Sequence, residues 1–370
     1  MRRRRFLTGA LTAGTAVAAS IAGSMPRPAL AQGRFQWTMV TAWPKGLPGL
    51  GSSAERLADR IGKMSGGRLT IKVLAAGELV SPLQGFRAVA DGLAEMAHDF
   101  SLYHIGLMPA AGIFSAVPFG LTPTEFNGWM NFGGGQELWD ELYDSAGVRP
   151  FLAGNTGVQM GGWFRKEIKS VRSLKGLKVS IPGYGGEALK RLGVEVIPMA
   201  SGELFGKLQS GEIDGAEWIG PYNDLSLGLY KITKFYYWPG FQEPGTGLEC
   251  IVNKSKFSNL PDDLKQIVAA ACAAENELTL AEYSGRSPAA LATLIHEHKV
   301  KLKKYSYDLL VAFGSASGQV VQDLLDSDDA LTRRITSSYL KFRKSAMAWT
   351  RVAEGGFITA RDLGFDFPKG

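Results

Sequence analysis

The sequence predicts an α/β protein of two lobes, with a cleft between them and a helical C-terminal region. Three observations carry that reading. Two series of alternating strand and helix patterns run in tandem, one from Phe35 and one from Val158. From about Lys254 the pattern becomes mostly helical, with a long helical stretch near Tyr305–Glu354. Beyond the first 31 residues no apolar run is long enough to cross a bilayer. The expected ranges are 32–158 for lobe I and 159–245 for lobe II. A return to lobe I with spanning helices follows over 246–304, and a C-terminal helical region over 305–370.

Residues 1–31 read as an export signal. Arg2 to Arg5 precede an apolar, small-residue run from Phe6 to Ile21, and Ala29-Leu30-Ala31 supplies a small-x-small cleavage site. Arg3-Arg4-Arg5-Phe6-Leu7 fits the twin-arginine pattern. The leader also explains the charge. The chain holds 41 basic and 35 acidic residues, but five of the arginines and no acid lie in the leader. A mature chain starting near Gln32 would carry a net charge of +1, which gives no argument for a nucleic-acid partner. The mature chain is expected not to be membrane-inserted.

In order, "FQWTMVTAW" reads as a strand. "SSAERLADRIGKMSGG" reads as a helix with Ser52 as its cap, Leu57, Ile61 and Met64 on one face, and Gly66 as its stop. "RLTIKVLAAG" alternates Leu69, Ile71 and Val73 as a strand; "SPLQGFRAVADG" is a helix and "LAEMAHDFS" a strand. This βαβαβ run is the signature of an open parallel sheet. In the second series "VQMGGWFRK", "GLKVSIPG", "VEVIPM" and "GAEWIG" read as strands. "GGEALKRLG" and "SGELFGKLQSGE" read as helices, the latter capped by Ser201. Ligands of open α/β sheets bind outside the carboxyl ends of strands, and the end of "GAEWIG" is such a place.

Catalytic signals are weak. The histidines are His98, His104, His296 and His298; the "HEH" at 296–298 has the wrong spacing for a zinc helix. No GxSxG or Walker loop is present, and "GYGGEALKRLG" reads as a tight strand-to-helix turn. Cys250 and Cys272 sit in apolar surroundings, and their spacing does not decide whether they pair. What stands out is a set of oxygen donors and aromatics near strand ends: Gln159, Glu217, Trp218 and Glu243. A hard cation takes carboxylate, amide and backbone carbonyl oxygens. Spacing alone leaves the bland reading open, that these are separate turn and edge residues.

Four stretches, "GNTGVQMGGWFRKEI", "LKGLKVSIPGYGGEALKRLG", "GEIDGAEWIGPYNDLSLGLYKITKFYYWPGFQEPG" and "VNKSKFSNLPDDLKQIV", resemble the solute-binding proteins of tripartite ATP-independent periplasmic (TRAP) transporters. The resemblance is to the branch that binds 2-oxo and 2-hydroxy acids, and it covers almost the whole mature chain. It implies a two-lobe periplasmic binding protein that captures a small organic acid and delivers it to membrane permease subunits, without catalysis. It implies a Na⁺ or Ca²⁺ held by Gln159, Glu217, the Trp218 carbonyl and Glu243, with Gln159, Ser180, Tyr103, Asn155, Glu217 and Trp218 around the ligand. It also implies a homodimer through the C-terminal helix.

Two departures stand out. Ser180 occupies the place where such proteins usually carry a carboxylate-binding Arg, and Arg165 and Arg172 are the nearby guanidinium groups in sequence. His104 stands where a second aromatic would follow Tyr103. A secreted metal-dependent lyase or hydrolase acting on oxo acids is the alternative of a different class; it needs a general base, and no histidine stands at these motifs. A periplasmic sensor partner is a second alternative.

Overall fold

The computed structural model describes residues 33–366 and 368; the leader and its cleavage site lie outside them. The first half of the chain contains β1 (Phe35–Thr41), α1 (Leu50–Met64), β2 (Leu69–Leu74), α2 (Gly85–Ala90), β3 (Met96–Asp99), α3 (Pro123–Phe132), α4 (Gly135–Asp144) and β4 (Val148–Asn155). The middle contains β5 (Gly162–Phe164), β6 (Lys178–Ser180), α5 (Gly183–Arg191), β7 (Glu195–Val196), α6 (Ser201–Ser210), β8 (Gly215–Ala216), α7 (Pro221–Leu227) and β9 (Phe235–Trp238). The last part contains β10 (Gly247–Asn253), α8 (Lys254–Ser258), α9 (Asp262–His296), β11 (Lys301–Lys304), α10 (Tyr307–Leu325), α11 (Ala330–Val352) and α12 (Glu354–Arg361).

These strands form two sheets, one ordered β2-β1-β3-β10-β4 and the other β11-β9-β5-β8-β6-β7. The two-lobe α/β expectation stands. The first sheet is not all parallel, however. β1 pairs in parallel with β2 and β3, but β10 returns from beyond the second sheet and runs antiparallel to β3 and β4. Local pattern could not show this, because the pairing joins residues about 150 apart in the chain.

Local chemistry accounts for the elements. In α1, Leu50, Ala54, Leu57, Ala58 and Ile61 recur at helical spacing and are buried. Truncating such a fully buried leucine as Leu57 to alanine costs about 2–5 kcal/mol. The expected Ser52 cap is not used: the helix starts earlier, at Leu50 after Gly49, and Ser52 lies inside it. Ser201 is likewise the first residue of α6 and not its cap. The long helical stretch near the C-terminus breaks at Asp326–Asp329, where the Asp329 side chain caps α11 by accepting from the Leu331 and Thr332 amides.

Large aromatics fill the first lobe. Phe114 stacks between Trp129 and Trp139, with ring centroids 5.4 and 5.3 Å away. The 35-residue α9, about 52 Å long, packs on α1 and β4 and also on α7, which follows β8. Its Glu275 receives Arg56 from α1 at 2.7 Å, and its Glu282 receives the Tyr222 hydroxyl from α7 at 2.8 Å. One helix thus ties elements associated with both sheets.

Candidate metal and ligand site

The second sheet supplies the site at its strand ends. β8 is only two residues long, so Glu217 and Trp218 fall just past its carboxyl end. Backbone bonds stitch three segments together there. The Glu217 amide donates to the Ser180 carbonyl at 2.8 Å, the Met160 amide to the Ile219 carbonyl at 2.9 Å, and the Gln159 amide to the Glu243 carbonyl at 3.2 Å. Such close approach needs a residue without a side chain. A Cβ on Gly162 (φ 102°) would lie 3.0 Å from the Ala216 carbonyl oxygen and 3.4 Å from the Glu217 Cα.

Gln159 is buried, and its amide nitrogen is turned toward Glu243 Oε2 (2.8 Å), Thr156 Oγ1 (2.9 Å) and Thr246 Oγ1 (2.9 Å). The Thr246 hydroxyl also donates to Glu243 Oε2 at 2.7 Å. The Gln159 carbonyl oxygen, Oε1, is left buried without a partner. Both oxygens of Glu217 are in the same condition, although the residue is only 3 % exposed. No described residue donates to the Trp218 carbonyl, and the Trp218 indole nitrogen is also buried and unpartnered.

Native folds rarely leave buried polar atoms unpaired, and a buried carboxylate without a donor is costly. Burial first, then the charges of Glu243 and Asp224, push the Glu217 pKa well above the usual carboxylate range, against the Gln242 amide. Burial pushes Glu243 up to about 7, against its bonds from Thr246 and Gln159. Oxygen-only donors with unspent lone pairs are the donor set a hard cation takes.

The remaining sequence-predicted residues border this cluster. Ser180 is buried at the end of β6 and pairs with Ala216. Asn155 ends β4; its side-chain oxygen accepts from the Gly157 amide at 2.9 Å, while its Nδ2 is buried and unpartnered. Tyr103 comes from a 3-10 turn after β3 and packs on Trp43 and Phe100. Burial, then the charges of Glu243, Asp99 and Glu217, raise its pKa. Tyr103 therefore lies near acids that belong to strand ends of both sheets. Arg165 spends its guanidinium on the Leu208 carbonyl at 2.9 Å and Arg172 is exposed, so neither replaces a cation at Ser180. His298 stacks on Tyr230 with centroids 3.8 Å apart. Cys250 and Cys272 are buried free thiols.

Three groups escaped the sequence reading. Gln242 donates its amide to the Met160 carbonyl at 2.8 Å and leaves its own Oε1 buried and unpartnered; adjacency to Glu243 was its only signal. Asp224 lies behind Glu217 but is satisfied, accepting from Trp163 Nε1 (2.9 Å) and the Tyr236 hydroxyl (2.6 Å). The third group is a second acid cluster. Antiparallel pairing sets Glu249 of β10 directly across from Asp99 of β3. Like charges so placed repel. His104 sits between them, its Nε2 2.8 Å from Glu249 and 3.5 Å from Asp99, and the Tyr143 hydroxyl donates to Glu249 at 2.8 Å. Burial disfavours a charged His104, but the Asp99 and Glu249 carboxylates outweigh it and push its pKa up to about 10.

A family profile described as bacterial extracellular solute-binding protein, family 7, matches residues 40–328. A monocarboxylate 2-oxoacid-binding periplasmic protein of Nostoc sp. is 40% identical over 357 residues, 96% of this chain and 97% of its own length. Among solved structures, a TRAP transporter solute-binding protein of Bordetella bronchiseptica with calcium and picolinate has a TM-score of 0.87 at 35% identity, covering 89% of this chain and 97% of its own. A TRAP periplasmic solute-binding protein of Pseudoalteromonas atlantica with sodium and pyruvate has a TM-score of 0.86 at 35% identity, over 90% and 100% of the two chains. Another from Colwellia psychrerythraea, with calcium and pyruvate, has a TM-score of 0.86 at 34% identity, over 88% and 99%.

Proposed function

Because the chain belongs to bacterial extracellular solute-binding protein family 7, we propose that it is the periplasmic receptor of a TRAP transporter for a small 2-oxo or 2-hydroxy monocarboxylate. It is a solute receptor and not an enzyme, as its family and relatives are. The observation that carries the site is the pair of buried, unpartnered Glu217 oxygens beside the unpartnered Gln159 Oε1. In this reading Gln159, Glu217, the Trp218 carbonyl and Glu243 hold a Na⁺ or Ca²⁺, the ions seen with pyruvate in related receptors. When bound, the cation supplies positive charge for the ligand's carboxylate. Ser180, Tyr103, Asn155 and the Trp218 indole supply neutral hydrogen-bond donors, and their fixed positions select the ligand's orientation.

The lobe ranges read from the sequence belong to this proposal. So does removal of the leader near Ala31, for which Ala29-Leu30-Ala31 is the support. A homodimer through the C-terminal helix is supported by the exposed Trp349, Val352 and Phe357 (71, 74 and 65 % exposed) on α11 and α12.

The deciding experiment is a thermal-shift series with pyruvate and lactate, with and without metal, on wild type and Glu217→Ala. Wild type should be stabilised by ligand only with metal present, and the variant should fold but show no ligand-induced shift. Equal shifts in both proteins would remove Glu217 from the site. Native mass spectrometry of exported protein reads the mature start, the dimer and any co-purified acid together. A monomer, or retention of residues 1–20, would overturn the corresponding finer claim.

A further inference from the structure

We infer that the lysine-rich edge of the second sheet is a docking surface for anionic phospholipid headgroups, through which this protein rests on a bilayer. The inference goes beyond the receptor reading, because neither the ligand site nor delivery to a permease requires this face. β11 is the outermost strand of the second sheet, and three of its four residues are lysines: Lys301, Lys303 and Lys304. Exposed Lys169, Lys231, Lys234 and Lys299 stand around it. Contacts fix their places. The Lys301 amide donates to the Lys234 carbonyl at 2.6 Å, and Lys234 Nζ donates to the His298 carbonyl at 2.9 Å. Lys231 and Lys234 lie 5.9 and 5.8 Å from the centre of the Tyr230 ring, which stacks on His298. Lys301 and Lys303 share the Phe235 ring, and Lys304 lies 5.0 Å from the centre of Trp238. Lys303 also pairs with Glu167 at 2.6 Å. That bond, against desolvation, and then the charges of Lys303, Lys169 and Lys301 hold the Glu167 carboxyl below its ordinary range, which puts these lysines in one field. Lys169, Lys231, Lys234, Lys299, Lys301 and Lys304 have no ion-pair partner among the described residues.

Lysines on an edge strand also keep it from pairing with another chain. The other edges of the two sheets show how little that alone requires. β2 carries one lysine, Lys72, β7 one acid, Glu195, and β4 one arginine, Arg149. β11 carries three lysines, and the others of the group stand off the strand, where they guard no backbone hydrogen bond. The mature chain read from Gln32 has a net charge of only +1, so this edge concentrates one sign of charge.

A surplus of this kind fits an extended anionic surface, and the apolar groups beside it select a bilayer over an acidic protein face. Leu302, Trp238 and Tyr307 are 38, 36 and 80 % exposed. The Tyr305 amide donates to the Trp238 carbonyl at 2.9 Å, which keeps Tyr307, two residues on, at the same end of the edge. Trp and Tyr settle at the headgroup level of a membrane, and lysine stems lie along apolar surface while their ammonium groups stay in water. Each lysine gains from an anionic leaflet only within about a Debye length of it, so a flat edge that brings several down together is the favourable shape.

The test is sedimentation of the full mature chain with phosphatidylglycerol vesicles and with phosphatidylcholine vesicles, at low and at high salt. Binding to the first and not to the second, lost at high salt, is the expected result. Lys301→Gln, Lys303→Gln and Lys304→Gln together should weaken that binding about tenfold or more. Tyr307→Ser should weaken it by a smaller factor without changing its salt dependence. Lys72→Gln, on an edge of the first sheet, should leave it unchanged. The pyruvate thermal shift should be the same in all of these proteins, so failure of lipid binding and failure of the receptor reading are read separately. No binding to phosphatidylglycerol, equal binding to both vesicles, or a Lys72→Gln protein as weak as the triple variant overturns the inference. So does association only with vesicles that hold the transporter's membrane subunits, which would assign the face to a protein partner. If the triple variant does not fold, the wild-type comparison of lipids and salts decides by itself.

Discussion

Asp99 and Glu249 face each other across β3 and β10; Glu217 and Glu243 meet where the chain leaves β8 and β9. Both pairs are buried, and Tyr103 feels the field of Asp99 as well as that of Glu217 and Glu243. The first pair brings its own cation, His104, which with the Tyr143 hydroxyl satisfies Glu249; both Asp99 oxygens are buried without a hydrogen-bond partner, with the His104 Nε2 3.5 Å from Oδ1. The second pair brings no cation: Glu243 accepts from Gln159 and Thr246, while the Gln242 amide is the one neighbouring donor that favours a charged Glu217. Within one lobe the same contrast recurs between Asp224, satisfied by Trp163 and Tyr236, and Glu217. A buried acid with its partners in place holds the fold together. A buried acid without them carries a desolvation cost that a bound cation, as proposed for Glu217, would relieve.

The largest expected effect tests the self-neutralised cluster. His104→Gln leaves two opposed carboxylates without their cation and should lower folding stability by about 3–5 kcal/mol at neutral pH. The sign with pH follows from a folded pKa of about 10 against an ordinary value of 6.5. The stabilisation is complete below the ordinary value and is lost as pH rises through the folded one. Denaturant titrations at a series of pH values should show that decline in wild type; in the variant Glu249, which burial and then Asp99 push up to about 8 even with His104 opposing them, loses that opposition, so the decline should begin at lower pH. Equal stability of the two proteins at pH 7 would break the comparison at its first term.

Next comes Asp224→Asn, which weakens the charge-assisted bonds from Trp163 and Tyr236. It should cost about 1.5–3 kcal/mol of folding stability, read by the same titrations on metal-free protein. A neutral result would mean that Asp224 belongs with the functional acids. The smallest effect has the opposite sign. Glu217→Gln removes a buried acid whose charged form burial disfavours, and should leave metal-free stability unchanged or raise it by about 1 kcal/mol. A destabilisation matching that of Asp224→Asn would show that Glu217 holds the fold and erase the contrast.

The contrast was only half legible in the sequence. Glu217 and Trp218 could be placed at a strand end because "GAEWIG" is local and apolar, and β8 does stop at Ala216. Gln159 and Glu243 became candidates through motif resemblance, since their approach depends on loops 84 residues apart. Gln242 looked like any polar turn residue. The Asp99–His104–Glu249 cluster was invisible because β10 enters the first sheet from the far side of the second, and no local period reports an antiparallel partner so distant. The Ser52 cap was misplaced because α1 begins two residues earlier, where buried Leu50 starts the apolar face.

The late arrival of β10 also has a consequence in time. β4 ends at Asn155 and its partner begins at Gly247, so roughly 90 residues must be synthesised between them. At ribosomal speed that is a delay of roughly 5–20 s, and the pairing is a high-contact-order step even in an intact chain. During that interval β3 is an open edge, a surface on which other nascent chains could add a strand. Asp99, at the end of β3, is the charge that guards this edge. His104, five residues on, can offset that charge locally before Glu249 is even made. The same aspartate thus acts as a gatekeeper while the protein is being made and as one member of a neutralised cluster once it is finished.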